Sequence, residues 1–157
     1  MHVDVRSASL ASRAATKLIA QLDEEVQARY SEPLSAFYFS LESGEVERDR
    51  GTFALAWADG RAVGCGALRL INEDTAELKR MFVLPEFRRH GVAAAVLGFL
   101  EREALALGAS RVVLETVTNP PDAVALYRRA GYTEIPRFGR YIDSAISYCM
   151  GKSLNPN

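Results

Sequence analysis

The chain has 157 residues, 48% of them apolar and 25% charged, with a formal net charge of -1. Such a composition excludes an intrinsically disordered chain, and the near-neutral sum supplies no global basic field for nucleic acid. Two cysteines, Cys65 and Cys149, are too few for a disulfide framework or a four-thiolate zinc site and too far apart for a CxxC redox pair, so no metal is expected. No basic end followed by an apolar run marks a secretory signal, since residues 8–20 carry Arg13 and Lys17 among alanines. The longest apolar stretch, Val92 to Leu100, is about half of the ~20 residues a membrane crossing needs. A reducing, cytoplasmic setting is the expectation.

The alternating start His2-Val3-Asp4-Val5-Arg6 predicts a strand, and Ser9 or Ser12 is placed to cap a helix running to about Tyr30, ahead of Pro33. From Gln21 to Asp49 the net charge is -6; the simplest reading is a solvated face and a polar loop, and the alternative is a field that attracts a cationic amine. The aromatic cluster Ala36-Phe37-Tyr38-Phe39 fits a helical turn or a flap equally well, and Gly44 and Gly51 bracket a charged loop. Thr52 to Ala58 and Arg61 to Ile71 flank Asp59-Gly60, a tight-turn pair, and predict a hairpin. Asn72-Glu73-Asp74 turns into a third antiparallel strand, Thr75 to Val83.

The period then changes. Ala93, Leu97, Leu100, Ala104 and Leu107 predict a helix from Gly91 to Leu107, stopped by Gly108. Arg111 to Thr118 predicts a β-branched strand, Pro121 to Ala130 a helix closed by Gly131, and Tyr132 to Ile135 and Ile146 to Met150 the final strands. A strand-helix-strand unit from Leu78 to Thr118 requires a parallel crossover, so the sheet is mixed and the fold is α/β (α+β). Residues 1–157 read as a single domain, without repeats or linkers.

Between the third meander strand and the long helix runs Phe82-Val83-Leu84-Pro85-Glu86-Phe87-Arg88-Arg89-His90-Gly91-Val92-Ala93. A helix N-terminus leaves backbone N–H groups without partners and carries partial positive charge, and a glycine at its mouth lets an anion come close. A pyrophosphate fits such a place; a capped helix with exposed arginines is the plainer reading.

In this context Arg88-Arg89-His90-Gly91-Val92-Ala93 resembles the diphosphate motif of the GNAT superfamily of acetyl-coenzyme A dependent N-acetyltransferases. Glu77 to Pro85 and Ala123-Val124-Ala125-Leu126-Tyr127-Arg128-Arg129-Ala130-Gly131-Tyr132 resemble the strand before it and the family's AxxLYxxxGF helix. The resemblance covers residues 61–135. It implies a mixed, mainly antiparallel sheet of about six to seven strands flanked by about four helices, with the parallel β-α-β crossover at the cofactor site. It also implies acetyl-CoA as cosubstrate, lying where the third meander strand parts from the next parallel strand, with the backbone of Met81, Phe82 and Val83 along its pantetheine arm.

The diphosphate is then expected on the amides of Arg89, His90, Gly91, Val92 and Ala93, with Arg88 or Arg89 adding charge, and Asn119 near the strand end as a further contact or as the cap of the next helix. Tyr127 is expected to hydrogen-bond the leaving thiolate. Full proton transfer from a free phenol to a free thiolate is uphill by about 2 kcal/mol, so stabilising charge on sulfur is the expected role. Glu77 is the expected base toward the acceptor amine, against the alternative of a strand glutamate paired with Lys79 or Arg69. The implied reaction moves an acetyl group to a primary amine of a small molecule or peptide by direct attack in a ternary complex. The alternative is a non-catalytic acyl-CoA-binding regulatory module of the same fold. No nucleic-acid or membrane partner is expected, and a homodimer is compatible with this reading. Arg137-Phe138-Gly139-Arg140-Tyr141 offers a second, basic and aromatic wall for an acceptor carboxylate.

Overall fold

The computed structural model describes residues 1–29, 41, 43–47, 49–118 and 121–154. Seven strands form one sheet in the order β1-β2-β3-β4-β5-β7-β6. In chain order the elements are β1 (Asp4–Ser7), α1 (Arg13–Gln27), β2 (Gly51–Ala58), β3 (Arg61–Leu70), β4 (Thr75–Val83), α2 (Val92–Ala106), β5 (Arg111–Thr116), α3 (Asp122–Arg129), β6 (Thr133–Glu134) and β7 (Tyr148–Ser153).

The hairpin between β2 and β3 forms at Asp59 (φ 51°) and Gly60 (φ 77°), both left-handed, as a tight turn between twisted strands demands. Ser12 caps α1 by accepting from the Ala15 N–H at 3.2 Å, and Ala15, Leu18 and Leu22 bury one stripe of that helix. On α2 the buried stripe is Val92, Val96, Leu97, Leu100 and Ala104, packed on β2, β3 and β4. Gly66 of β3 lets this contact close: a Cβ there would lie 2.9 Å from Val96 and 3.0 Å from Leu100. Tyr132, Phe53, Leu55, Leu68 and Leu114 are the largest apolar side chains of the core.

Two irregularities of β4 open the sheet on one side. Its pairing with β3 slips between Cys65 and Ala67, opposite Arg80, whose φ is 59°; the bulge bends the strand. Its parallel pairing with β5 runs from Thr75 with Arg111 only as far as Leu78 with Leu114, although β4 continues to Val83 and β5 to Thr116. Beyond Leu78 the two strands part.

The mixed, mainly antiparallel sheet and the parallel crossover agree with the sequence reading. Three α-helices, rather than about four, are present among the described residues, with short 3-10 turns at Ser43–Val46, Pro85–Phe87 and Gly139–Tyr141. The aromatic cluster 36–39 lies outside the described residues. The last strand is Tyr148–Ser153 instead of Ile146–Met150, because β7 pairs on both sides, with β5 and β6, while Ser147 just before it is bound to Glu115. Gly151 sits in that strand facing Val113 and Thr133, where a local apolar pattern cannot see it. No helix among the described residues is long and apolar enough to cross a membrane.

Candidate active site

Where β4 and β5 part, a cleft of about 1010 Å³ opens. It is lined along β4 by Met81, Phe82 and Val83, at the start of α2 by Arg88, Arg89, Gly91, Val92 and Ala93, and on α3 by Ala123, Leu126 and Tyr127. The Leu84 N–H donates to Val63 on β3 at 2.9 Å, so the two-residue period of a strand turns the backbone groups of Met81 and Val83 the other way, into the gap. An extended amide-bearing chain could pair with them as an added strand.

At the mouth, Arg89 (φ 66°) and Gly91 (φ 80°) are both left-handed, and Gly91 is the N-cap of α2. No side chain caps this helix, and its first bond runs from the Ala95 N–H to the Gly91 carbonyl. The amides of Val92, Ala93 and Ala94 therefore have no carbonyl in a preceding turn to bond. A Cβ built on Gly91 meets open space within 4 Å, so the mouth of the helix is not filled by a side chain, and free amides at such a mouth suit an anion. His90 is exposed and is not part of the cleft lining, and Asn119 lies outside the described residues.

Arg88 is the most heavily engaged residue of the mouth. Its Nε donates to the Val83 carbonyl at 2.9 Å, its guanidinium pairs with Glu25 of α1 at 2.7 Å, and it lies 5.5 Å from the Phe82 ring centroid. An arriving diphosphate would compete with Glu25 for this arginine.

Tyr127 stands on the buried side of α3, edge-on to Tyr132 at 5.8 Å, and lines both this cleft and a smaller one of about 210 Å³ on the far side of the gap. Among the described residues nothing hydrogen-bonds its hydroxyl. Burial pushes its phenol up from the ordinary value, so at neutral pH it carries its proton and can donate.

Glu77 does not line either cleft. It is buried, accepts from Arg69 at 2.9 Å and accepts from the Tyr141 hydroxyl at 2.7 Å, so both carboxylate oxygens are held. Of the two pairing partners the sequence offered, Arg69 is the one used, and Arg69 also reaches Glu45 at 3.2 Å. The cause is register: Glu77 faces Arg69 directly across the β3–β4 ladder and is still paired with Val113 of β5, one residue before the strands part.

Two carboxylates do line the smaller cleft: Glu25, which is paired with Arg29 and Arg88, and, beside Met81, Thr116 and Tyr127, Glu115 of β5, which the sequence reading passed over. It accepts from the Ser147 hydroxyl at 2.7 Å. Burial pushes its carboxyl up to about 7, partly opposed by the Ser147 bond and reinforced by the nearby charge of Glu77. The available signal was an acid closing the apolar run Val112-Val113-Leu114, twelve residues before Tyr127. A carboxyl that exchanges protons near neutrality, in a cleft shared with a phenol donor, is equipped for acid–base work.

Comparison with known proteins identifies the family and the fold. The Acetyltransferase (GNAT) family profile matches residues 17–132, most of the chain. The chain belongs to this acetyltransferase family. Among the relatives of this GNAT protein, an IAA acetyltransferase of Azospirillum brasilense is 38% identical over 103 residues, 65% of this chain and 67% of that protein. The uncharacterised N-acetyltransferase YsnE of Bacillus subtilis is 32% identical over 120 residues, 73% and 80% of the two chains. The crystal structure of PaiA N-acetyltransferase from Thermoplasma acidophilum in complex with coenzyme A shares the fold with a TM-score of 0.74 at 20% identity, over 98% of this chain and 99% of that one. A GNAT acetyltransferase from Elizabethkingia anophelis with acetyl-CoA bound gives 0.69 at 15% identity, over 97% and 98%. This GNAT protein is an acyltransferase.

Proposed function

We propose that the protein is an N-acetyltransferase, acting as one domain over residues 1–157, that moves an acetyl group from acetyl-CoA to a primary amine held in the smaller cleft. The observation that carries this is the junction at Tyr127: one side chain reaches both the long cleft, with its strand edge and anion cradle, and the small cleft that holds Glu115. The coenzyme A and acetyl-CoA seen in structural neighbours support the assignment of the long cleft. Acetyl-CoA supplies the activated thioester; its acetyl group goes to the amine nitrogen, and coenzyme A leaves as the thiol with a net gain of the proton that the amine gives up.

The chain's own residues divide the remaining tasks. The backbone of Met81 and Val83 aligns the pantetheine arm, the amides of Val92 and Ala93 with those of Arg89, His90 and Gly91 take the diphosphate, and Arg88 leaves Glu25 to add charge. Phe82 packs under Arg88 at the cleft wall. Both reactants must sit in the protein together, since the amine attacks the carbonyl directly; holding them side by side removes the entropic cost of a bimolecular encounter. Glu115 removes the amine's proton, and Tyr127 donates a hydrogen bond to the sulfur as the carbon–sulfur bond breaks. Glu77 acts as a positioning residue, fixing Tyr141 behind the acceptor cleft. The cytoplasm, where acetyl-CoA is made available to soluble enzymes, is the proposed location.

Thiol release from acetyl-CoA, followed across amines, amino acids, polyamines, aminoglycosides and peptides, is expected to show turnover with at least one class. Tyr127→Phe is expected to lower kcat by about 10²-fold or more, while acetyl-CoA still raises the variant's melting temperature. Undiminished kcat in that variant removes the hydroxyl from the mechanism, and cofactor binding without turnover on any amine supports the non-catalytic alternative.

A further inference from the structure

The smaller cleft carries a charge pattern that selects among acceptors. Its ionisable lining is Glu25, Arg29, Lys79, Arg80 and Glu115. Arg80 is ion-paired with Asp23, and Glu25 lies between Arg29 at 3.4 Å and Arg88 at 2.7 Å. Each of these charges meets its opposite within the protein.

Lys79 is placed differently. The carboxylates nearest it in charge, Glu77 and Glu45, are both held by Arg69, at 2.9 and 3.2 Å. None of the described carboxylates forms an ion pair with Lys79. It is half-buried, and burial lowers its pKa from the ordinary lysine value against the attraction of those two acids, which is the condition of a cation short of a counter-ion.

Strand register puts it on the same face of the sheet as Glu115. Glu77 pairs with Val113 across the parallel β4–β5 ladder, so Lys79 and Glu115, each two residues further on, share a face of adjacent strands just where the strands part. One cation and one carboxyl thus face the same cavity. At about 210 Å³ it is smaller than the roughly 300–1,000 Å³ of a site for a drug-sized ligand.

Resting on the transferase reading above, we propose that the acceptor is a small amino carboxylate, whose carboxylate pairs with the Lys79 ammonium while its amine faces Glu115. The two acceptor clues in the sequence lose force in the fold. Within the segment of net charge -6, Asp23, Glu25 and Glu45, half of its described acids, are each paired with arginine, which removes part of the attraction for a cationic amine. Arg137 of the second wall donates to the Ser147 and Ala145 carbonyls, so it braces a loop instead of reading a substrate. A polyamine would have to sit among Arg29, Lys79 and Arg80.

The test pairs amino acids with their own amides, for example L-methionine, L-phenylalanine and β-alanine beside the corresponding carboxamides. Thiol release and calorimetric binding to the coenzyme A-loaded enzyme are both read. An amino acid amide has the less basic amine, so a preference for the acid cannot come from amine reactivity. The acid is expected to exceed its amide by tenfold or more in kcat/KM. Lys79→Gln is expected to remove that preference through KM, raising it about tenfold for the acid with a much smaller fall in kcat, and to weaken calorimetric binding equally; Lys79→Arg is expected to restore much of it.

Amides used as well as acids, or a preference that survives Lys79→Gln, would overturn the proposal; should Lys79→Gln not fold, the acid–amide comparison in the unaltered enzyme decides alone. A protein that acetyl-CoA fails to stabilise overturns the transferase reading itself. One that binds acetyl-CoA and acetylates polyamines but no amino carboxylate overturns only the inference about the acceptor.

Discussion

At the scale of single residues, two glutamates on neighbouring strands have opposite fates. Glu77, one residue before the last β4–β5 pair, is held by Arg69 and Tyr141; Glu115, one residue beyond it, lines the acceptor cleft with a single hydroxyl partner. The groups near Glu115 are Ser147 and Tyr141 from the loop before β7, Cys149 opposite it on β7, and Glu77 on β4, while Lys79 lines the same cleft. Its carboxyl, pushed up to about 7, must lose its proton to act as a base. We therefore expect kcat/KM to rise with pH through about 7 and level off above it, and Glu115→Gln to lower activity and flatten that limb. The same group affects folding. Because its folded value lies above the ordinary 4.5, the native chain keeps a proton that the unfolded chain has lost between those values, so its contribution to stability is full below about 4.5 and is lost as pH rises through about 7. Denaturant midpoints of Glu115→Gln against the unaltered protein should diverge in the variant's favour between pH 5 and pH 8; parallel curves would show that Glu115 is not protonated in the fold near neutrality.

At the scale of elements, the diphosphate cradle depends on how α2 begins. Gly91 is left-handed at φ 80°, and no side chain caps the helix. An L-residue there incurs about 1–2 kcal/mol of backbone strain, while the space around its Cβ holds no protein atom to clash with. Gly91→Ala should thus lower the melting temperature by several degrees and also raise KM for acetyl-CoA, because the added methyl enters the space over the free amides. A fall in melting temperature with an unaltered KM would place the diphosphate elsewhere. The bulge at Arg80 has a related consequence for β4: it redirects the strand just before Met81 and Val83, the two residues whose backbone groups turn into the gap.

Across the whole molecule, the long cleft separates β4 and the start of α2 from β5 and α3, so a ligand filling it would bridge two parts of the sheet that share no strand pairing there. Acetyl-CoA at about 100 times its dissociation constant should add about 2.7 kcal/mol, which for a domain of this size is a rise in melting temperature of about 5–10 °C. The rise should be smaller with Arg88→Ala, since the diphosphate loses a charge partner, and an equal rise would confine Arg88 to its pair with Glu25. The same pair ties α1 to the cleft mouth.

Much of this organisation is local and therefore written in the chain. The tight turn at Asp59-Gly60, the serine cap of α1, the apolar stripe of α2 and the glycine at its mouth each depend on residues within a few positions of one another, and the order of elements with its parallel crossover follows from them. The motif around Gly91 and the helix carrying Tyr127 were legible for the same reason. That Glu115 and not Glu77 lines the smaller cleft was not, because it depends on the residue at which β4 and β5 stop pairing and on the partners that packing gives each carboxylate. Those partners come from segments tens of residues apart: Ser147 against Glu115, Glu25 against Arg88. Sequence alone settled the architecture and the family resemblance, whereas only tertiary packing, by choosing partners for charges that have several candidates along the chain, left Lys79 and Glu115 on the lining of the smaller cleft.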